Sequence, residues 1–141
     1  MTVLMIFSLL LVPGAEAATS ESDVLGRYWL PERDGQFEIY RKDDRYFGRV
    51  VEYDIPGQLD ENNADKSLRS RAFIGIDMLA NFRFEEDDGQ WAGGTIYDAG
   101  NGKTYDCYMW FEKGKPNVLQ ARGFIGFSFL GRTESFTRVE P

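Results

Sequence analysis

The sequence predicts an all-β chain, an antiparallel up-and-down β-barrel of eight or nine strands. Three observations lead there. Short apolar segments alternate with polar residues at a period of two, turn signals recur about every 8 to 12 residues, and no long helical pattern competes. The strongest local sign of such strands is the hairpin signal in Gly93-Gly94-Thr95-Ile96-Tyr97-Asp98-Ala99-Gly100-Asn101-Gly102-Lys103-Thr104-Tyr105, with Asn-Gly between two strand patterns. A two-sheet sandwich fits the same counts, but consecutive hairpins favour the barrel.

Taken in order, Val24 to Leu30 is the first strand pattern, containing Gly26 and the pair Tyr28-Trp29. Asp34-Gly35 turns into Gln36 to Arg41, and Lys42-Asp43-Asp44 turns into Tyr46 to Tyr53, completing a meander. Asp54 to Arg71 is polar and long, the pattern of a solvated loop. Phe73 to Leu79 and Asn81 to Phe84 resume the apolar pattern, as two strands or one bent strand. A short helix around Leu68 to Leu79 is an alternative, since short apolar runs fit either period. Asp87-Asp88-Gly89 leads into the central hairpin, which runs to about Glu112. After Lys113 to Asn117 come Val118 to Phe124 and a closing strand, Gly131 to Val139.

The central hairpin can be phased. A four-residue loop, Ala99 to Gly102, sets Asp98 opposite Lys103, Ile96 opposite Tyr105 and Gly94 opposite Cys107. A two-residue Asn101-Gly102 turn sets Asp98 opposite Tyr105 instead. Either register puts Ala92, Gly94, Ile96 and Asp98 on one face with Lys103, Tyr105, Cys107, Met109 and Phe111. That face is apolar until it reaches the turn, so it is expected to point inward with a charged mouth. Trp91, Thr95, Tyr97, Tyr108 and Trp110 fall on the other face.

Met1 to Ala17 is expected to be a cleaved signal peptide: Leu4 to Val12 is an apolar run and Ala15-Glu16-Ala17 an A-x-A cleavage pattern. Met1-Thr2 lacks the usual basic residue. The run is shorter than the roughly 20 apolar residues of a spanning helix, so no transmembrane segment is expected after cleavage. Residues 18–141 then form a single barrel domain, periplasmic or secreted. Membrane barrels need strands of about 9 to 11 residues with a lipid-facing apolar band. Here most strand patterns are shorter and carry outward charges.

The formal charge of −7 and the absence of any basic run argue against nucleic-acid partners. The chain contains no histidine, which removes the commonest zinc ligand and the usual general base. Cys107 is the only cysteine, so no internal disulfide can form. Its place on the apolar face makes it a small buried hydrophobe rather than a reactive thiol.

Several stretches resemble an exported bacterial family, domain-of-unknown-function family 2147. They are Asp60-Glu61-Asn62-Asn63-Ala64-Asp65, Leu68-Arg69-Ser70-Arg71, Gly75, Trp91, Gly94, Ile96-Tyr97-Asp98, Asn101-Gly102-Lys103-Thr104-Tyr105, Gly123 and Gly131-Arg132-Thr133. The family pattern has proline where this chain has Ala64 and Ala99. The resemblance implies a barrel and export but no reaction. A weaker likeness joins the chain to lipocalin-type barrels, which carry Gly-x-Trp on the first strand and a late arginine packed on the tryptophan. In Gly26-Arg27-Tyr28-Trp29 the expected place is held by Tyr28, with Arg138 or Arg132 as the cation. This arrangement is expected to be a structural bung.

Candidate binding residues fall in two groups. Asp98, Asn101, Lys103 and Tyr105 crowd the hairpin mouth, where a polar cluster can orient a small ligand; alternatively Asp98 pairs with Lys103 or caps the turn. Asp60, Asn63 and Arg69, with Arg71 nearby, offer oxygens and guanidinium forks that hold an anion or clamp the loop to the barrel. Arg132 joins the set from the last strand. The Asp60 to Asp65 spacing does not match the calcium-loop pattern, so no metal is expected, and no cofactor is implied. Phe124 to Leu130, apolar and uncharged, is a portal, a partner surface or a plug; folding back as a plug of the barrel floor is the favoured reading.

The expectation is thus a non-enzymatic exported barrel that binds a small apolar or amphipathic ligand, or an envelope component, at its mouth. The alternatives are an envelope protein or glycan interaction module with a filled barrel, and a carboxylate-based hydrolase using a pair such as Asp60 and Asp98.

Overall fold

The computed structural model describes residues 19–140. The expected signal peptide and its cleavage site lie outside the described residues. Eight strands form one sheet in sequence order. They are β1 (Gly26–Trp29), β2 (Gly35–Lys42), β3 (Arg45–Tyr53), β4 (Asp77–Glu85), β5 (Gln90–Asp98), β6 (Lys103–Phe111), β7 (Val118–Phe124) and β8 (Gly131–Thr137). Every neighbouring pair is antiparallel. A bridge between Tyr28 and Arg138, and a bond from the Val139 amide to the Arg27 carbonyl (2.9 Å), bring the two edges together in a nearly closed barrel. Closure removes the exposed edges of an open sheet.

The first strand pattern begins later than expected, because Glu21–Val24 coils into a 3-10 turn before β1. Phe73 to Phe84 yields one strand, not two: Asn81, at a positive φ of 64°, bends β4 between the buried Leu79 and Phe82. That bend accounts for the alternative of nine strands. No helix forms over Leu68 to Leu79; a single 3-10 turn, Lys66–Leu68, stands before it, with Asp65 Oδ1 accepting from the Ser67 amide. Among the described residues, no helix is long and apolar enough to cross a membrane.

The central hairpin takes the four-residue loop register, with Asp98 opposite Lys103, Ile96 opposite Tyr105 and Gly94 opposite Cys107. The expected face fails further down. Trp91 pairs with Met109, so Ala92 and Gly93 together oppose Tyr108 in a β-bulge. Gly93 adopts a φ of +70°, which a residue without Cβ takes at no steric cost. The extra residue reverses the phase, burying Trp91 and moving Ala92 off the inner face. Cys107 and Met109 are buried as expected, and burial pushes the Cys107 thiol up to about 12.

Antiparallel order sets the β1–β2, β3–β4, β5–β6 and β7–β8 connections at one end of the barrel, called the open end below. The β2–β3, β4–β5 and β6–β7 turns lie at the other, closed end. There Trp91 Nε1 donates to the Glu21 carbonyl (3.3 Å) and its ring meets Tyr46 and Phe111 edge-on. The Arg138 guanidinium lies over Tyr28 (4.9 Å) and Phe111 (5.7 Å), donating to the Leu25 and Asp23 carbonyls. The bung is therefore built from Arg138 and Tyr28, while Arg132 sits at the opposite end. Further in, Phe37 stacks on Tyr28 (5.5 Å) and meets Phe136 edge-on (4.9 Å).

Candidate functional site at the open end of the barrel

Beyond Phe136 the barrel is not filled. A cavity of about 680 Å³ opens toward the open end, within the size range of small-molecule sites. Its inner wall is apolar, formed by Met78, Ile96, Ala121 and Phe136. Tyr53 and Phe73, ring centroids 4.7 Å apart, wall one side nearer the mouth. The mouth carries Glu32, Asp34, Asp98 and Glu134 against a single arginine, Arg132. Arg132 pairs with Glu134 at 2.8 Å. Burial raises the Tyr53 hydroxyl pKa, and the adjacent Asp34 and Glu32 add to the rise, as expected beside unscreened carboxylates.

The eight residues singled out from sequence separate here. Asp98, Asn101, Tyr105 and Arg132 line this cavity. Lys103 is exposed and does not line this cavity. Asp98 does not pair with it but caps the turn, accepting from the Gly100 amide at 2.8 Å. Asn101 serves both ways: its Oδ1 accepts from the Lys103 amide (2.9 Å) and its Nδ2 donates to the Tyr105 hydroxyl (2.9 Å). The two bonds from backbone amides are Asx-turn contacts, and with the Asn101–Tyr105 bond they fix the side chains that face the mouth.

Asp60, Asn63 and Arg69 lie instead in the long β3–β4 loop. Asp60 is buried, and its carboxylate accepts from Asn63 Nδ2 (2.8 Å), Arg71 Nε (2.9 Å) and the Tyr97 hydroxyl. Burial alone would raise its pKa; the three donors and the Arg71 charge together outweigh this and hold it below the ordinary carboxylate value. Tyr97 moves the opposite way, to about 12, through burial and the neighbouring carboxylate. Arg69 Nε donates to the Asn63 carbonyl (2.8 Å), so this guanidinium braces the loop.

The knot fastens the loop to the hairpin. Asn62 Nδ2 donates to the Ala99 carbonyl (3.2 Å), and the Asn62 carbonyl lies against Gly102 where any Cβ would collide with it. Gly102 also has a φ of +74°, so both shape and backbone demand glycine there. The loop so held delivers Phe73 to the cavity wall. A second, shallower groove of about 730 Å³ runs outside the barrel between this loop and β5–β6, lined by Asn63, Arg71, Ile74 and Tyr97 among others.

Sequence reasoning missed Tyr97 as a partner of Asp60, having placed it only on the outer face. Nor did it find Tyr53, Phe73, Glu32 or Asp34 at the mouth. Their one legible signal was position: each lies at or beside a connection at the same barrel end. Phe124 to Leu130 is not a plug. Ile125, Phe127, Phe129 and Leu130 are exposed, because Gly126, Phe127 and a 3-10 turn over Ser128–Leu130 carry the chain outward. Among the described residues, no group of acidic or cysteine side chains is arranged to hold a metal ion.

In architecture the chain is similar to the Helicobacter pylori protein HP1028, described as belonging to the lipocalin family. The TM-score is 0.68 over 83% of each chain, at 18% sequence identity, a likeness of fold alone. A search of the curated proteins finds no match. The family model described as "Uncharacterized protein conserved in bacteria (DUF2147)" matches residues 26–138, from the start of β1 through the arginine of the bung. The chain belongs to this bacterial family.

Proposed function

We propose that the protein is an exported barrel that binds one small amphipathic molecule, apolar part inward, in the cavity at its open end. The observation that carries this reading is the division of the barrel interior. Aromatic side chains fill the closed half, whereas Ala121, Gly123, Met78 and Ile96 leave the open half hollow. Barrels of about eight strands either fill with side chains or hold one small ligand. Four carboxylates at the mouth against one paired arginine favour a neutral or cationic head group. Asp98, Asn101 and Tyr105 are the polar groups best placed to orient it. The apolar run and cleavage pattern in residues 1–17 support a periplasmic or secreted location.

The hydrolase reading gains nothing: the Asp60 carboxylate is taken up by three donors and does not line the cavity on which Asp98 opens. The envelope-interaction reading keeps one specific support, the exposed β7–β8 tip.

The test is to express the full chain in a bacterial host, collect the protein from the periplasm and analyse solvent extracts by mass spectrometry. A new amino terminus at Ala18 and a co-purifying amphipathic molecule are expected. Ile96→Trp, which occupies the cavity with apolar bulk, should abolish retention of that molecule and of a fluorescent apolar probe. A barrel that emerges empty and takes up no such probe sinks the reading.

A further inference from the structure

The connection from β7 to β8 presents apolar side chains that the barrel does not use. Ile125, Phe127, Phe129 and Leu130 are 67%, 66%, 73% and 63% exposed, more than any other large hydrophobic residue among the described residues. They sit within six consecutive positions that contain no charge. The segment is a defined turn: the Phe127 amide bonds to the Ile125 carbonyl (2.9 Å), and the Leu130 amide to the Phe127 carbonyl (3.0 Å). Arg122 Nε donates to the Ser128 carbonyl and Nη1 to Thr133 Oγ1 (3.2 Å), while the Phe127 and Phe129 rings stack with centroids 5.6 Å apart. Two of the four, Ile125 and Leu130, also line the cavity mouth.

From this arrangement we propose that the β7–β8 tip inserts into the surface of a zwitterionic phospholipid bilayer and sets the cavity mouth against it. A second copy of the chain is a poor fit. An aromatic side chain buries about 150 to 250 Å², so four partly exposed side chains fall short of the roughly 800 Å² per partner that a stable complex buries. Charge points to a bilayer. The uncharged tip is flanked by Arg122 and by Arg132, whose side chain is 79% exposed although it also pairs with Glu134. Guanidinium groups at the base of an apolar insertion sit at phosphate depth. The carboxylates of the mouth and the chain's charge of −7 select against a strongly anionic surface. The inference does not depend on what the cavity holds.

Vesicle flotation tests it. The protein without residues 1–17 is expected to float with phosphatidylcholine vesicles, and less well at low salt when phosphatidylglycerol is added. Phe127 and Phe129 do not line the cavity, so Phe127→Ser with Phe129→Ser should weaken vesicle binding by about a hundredfold while probe uptake by the barrel is retained. Because Cys107 is buried, Ser128→Cys can be labelled selectively with an environment-sensitive dye. Its emission is expected to shift to the blue on vesicles, a second readout should the double variant misfold. Failure of the unaltered protein to float, equal flotation of the folded double variant, or an unshifted dye would each overturn the proposal. So would a patch that drives self-association or protein capture while vesicles are ignored.

Discussion

The two ends of this barrel share the same strands and the same alternation, yet one is packed and the other hollow. At the closed end Trp91, Tyr46 and Phe111 meet, with the Glu21–Val24 turn hydrogen-bonded to Trp91 and Arg138 laid across Tyr28 and Phe111. At the open end Ala121 and Gly123 contribute almost no volume, and the connections stand around the opening instead of crossing it. Strand number sets the barrel diameter, so it is similar at both ends. Residue size and turn placement therefore decide which half can receive a molecule. Stability is expected to reside in the closed half and binding in the open half.

Three substitutions bear on that division. Trp91→Ala removes the largest fully buried side chain and should cost about 3 to 5 kcal/mol, read from the denaturant midpoint. Uptake of an apolar probe by the fraction that remains folded should be little changed; a parallel loss of binding would show that the halves are not separate. Asp60→Asn removes the charge that draws three donors together and should cost about 1.5 to 3 kcal/mol. Because the folded pKa of Asp60 is depressed, its contribution is complete above about pH 4 and is lost as pH falls through the folded value. The acid limb of the stability curve should flatten in the Asn variant, and amide exchange should quicken in the β3–β4 loop first. Lys103→Ala, at an exposed position outside both cavities, should stay within about 0.5 kcal/mol of the parent and leave probe uptake unchanged.

Much of the fold was legible because strand periodicity and turn chemistry are local. The turn signal and the alternation beside it put Cys107 and Met109 inward in either of two registers, and the four-residue loop, not the two-residue Asn101-Gly102 turn, is the one that forms. The place of Trp91 was not legible. A single bulge residue reverses a period-two pattern, and Gly93 in a sequence does not announce whether it bulges or pairs. Phe124 to Leu130 misled for a related reason: an apolar run states a preference for leaving water but not which surface receives it. In the candidate site, Asp98, Asn101, Tyr105 and Arg132 converge because they lie at connections on the same end, a consequence of strand order. Asp60, Asn63 and Arg69 do not join them, because burial turns the Asp60 carboxylate toward donors within reach of its own loop.

By itself the sequence determined the all-β class, the up-and-down order, the tight turns and the buried thiol, since each follows from side chains within a few residues of one another. Only the tertiary structure decided which half of the barrel is hollow, that Arg138 rather than Arg132 caps Tyr28, that Tyr97 completes the knot around Asp60, and that the β7–β8 tip faces outward. The Tyr97 and Arg138 contacts join residues 37 to 115 positions apart, and their energies are settled by shape and desolvation after the strands have closed.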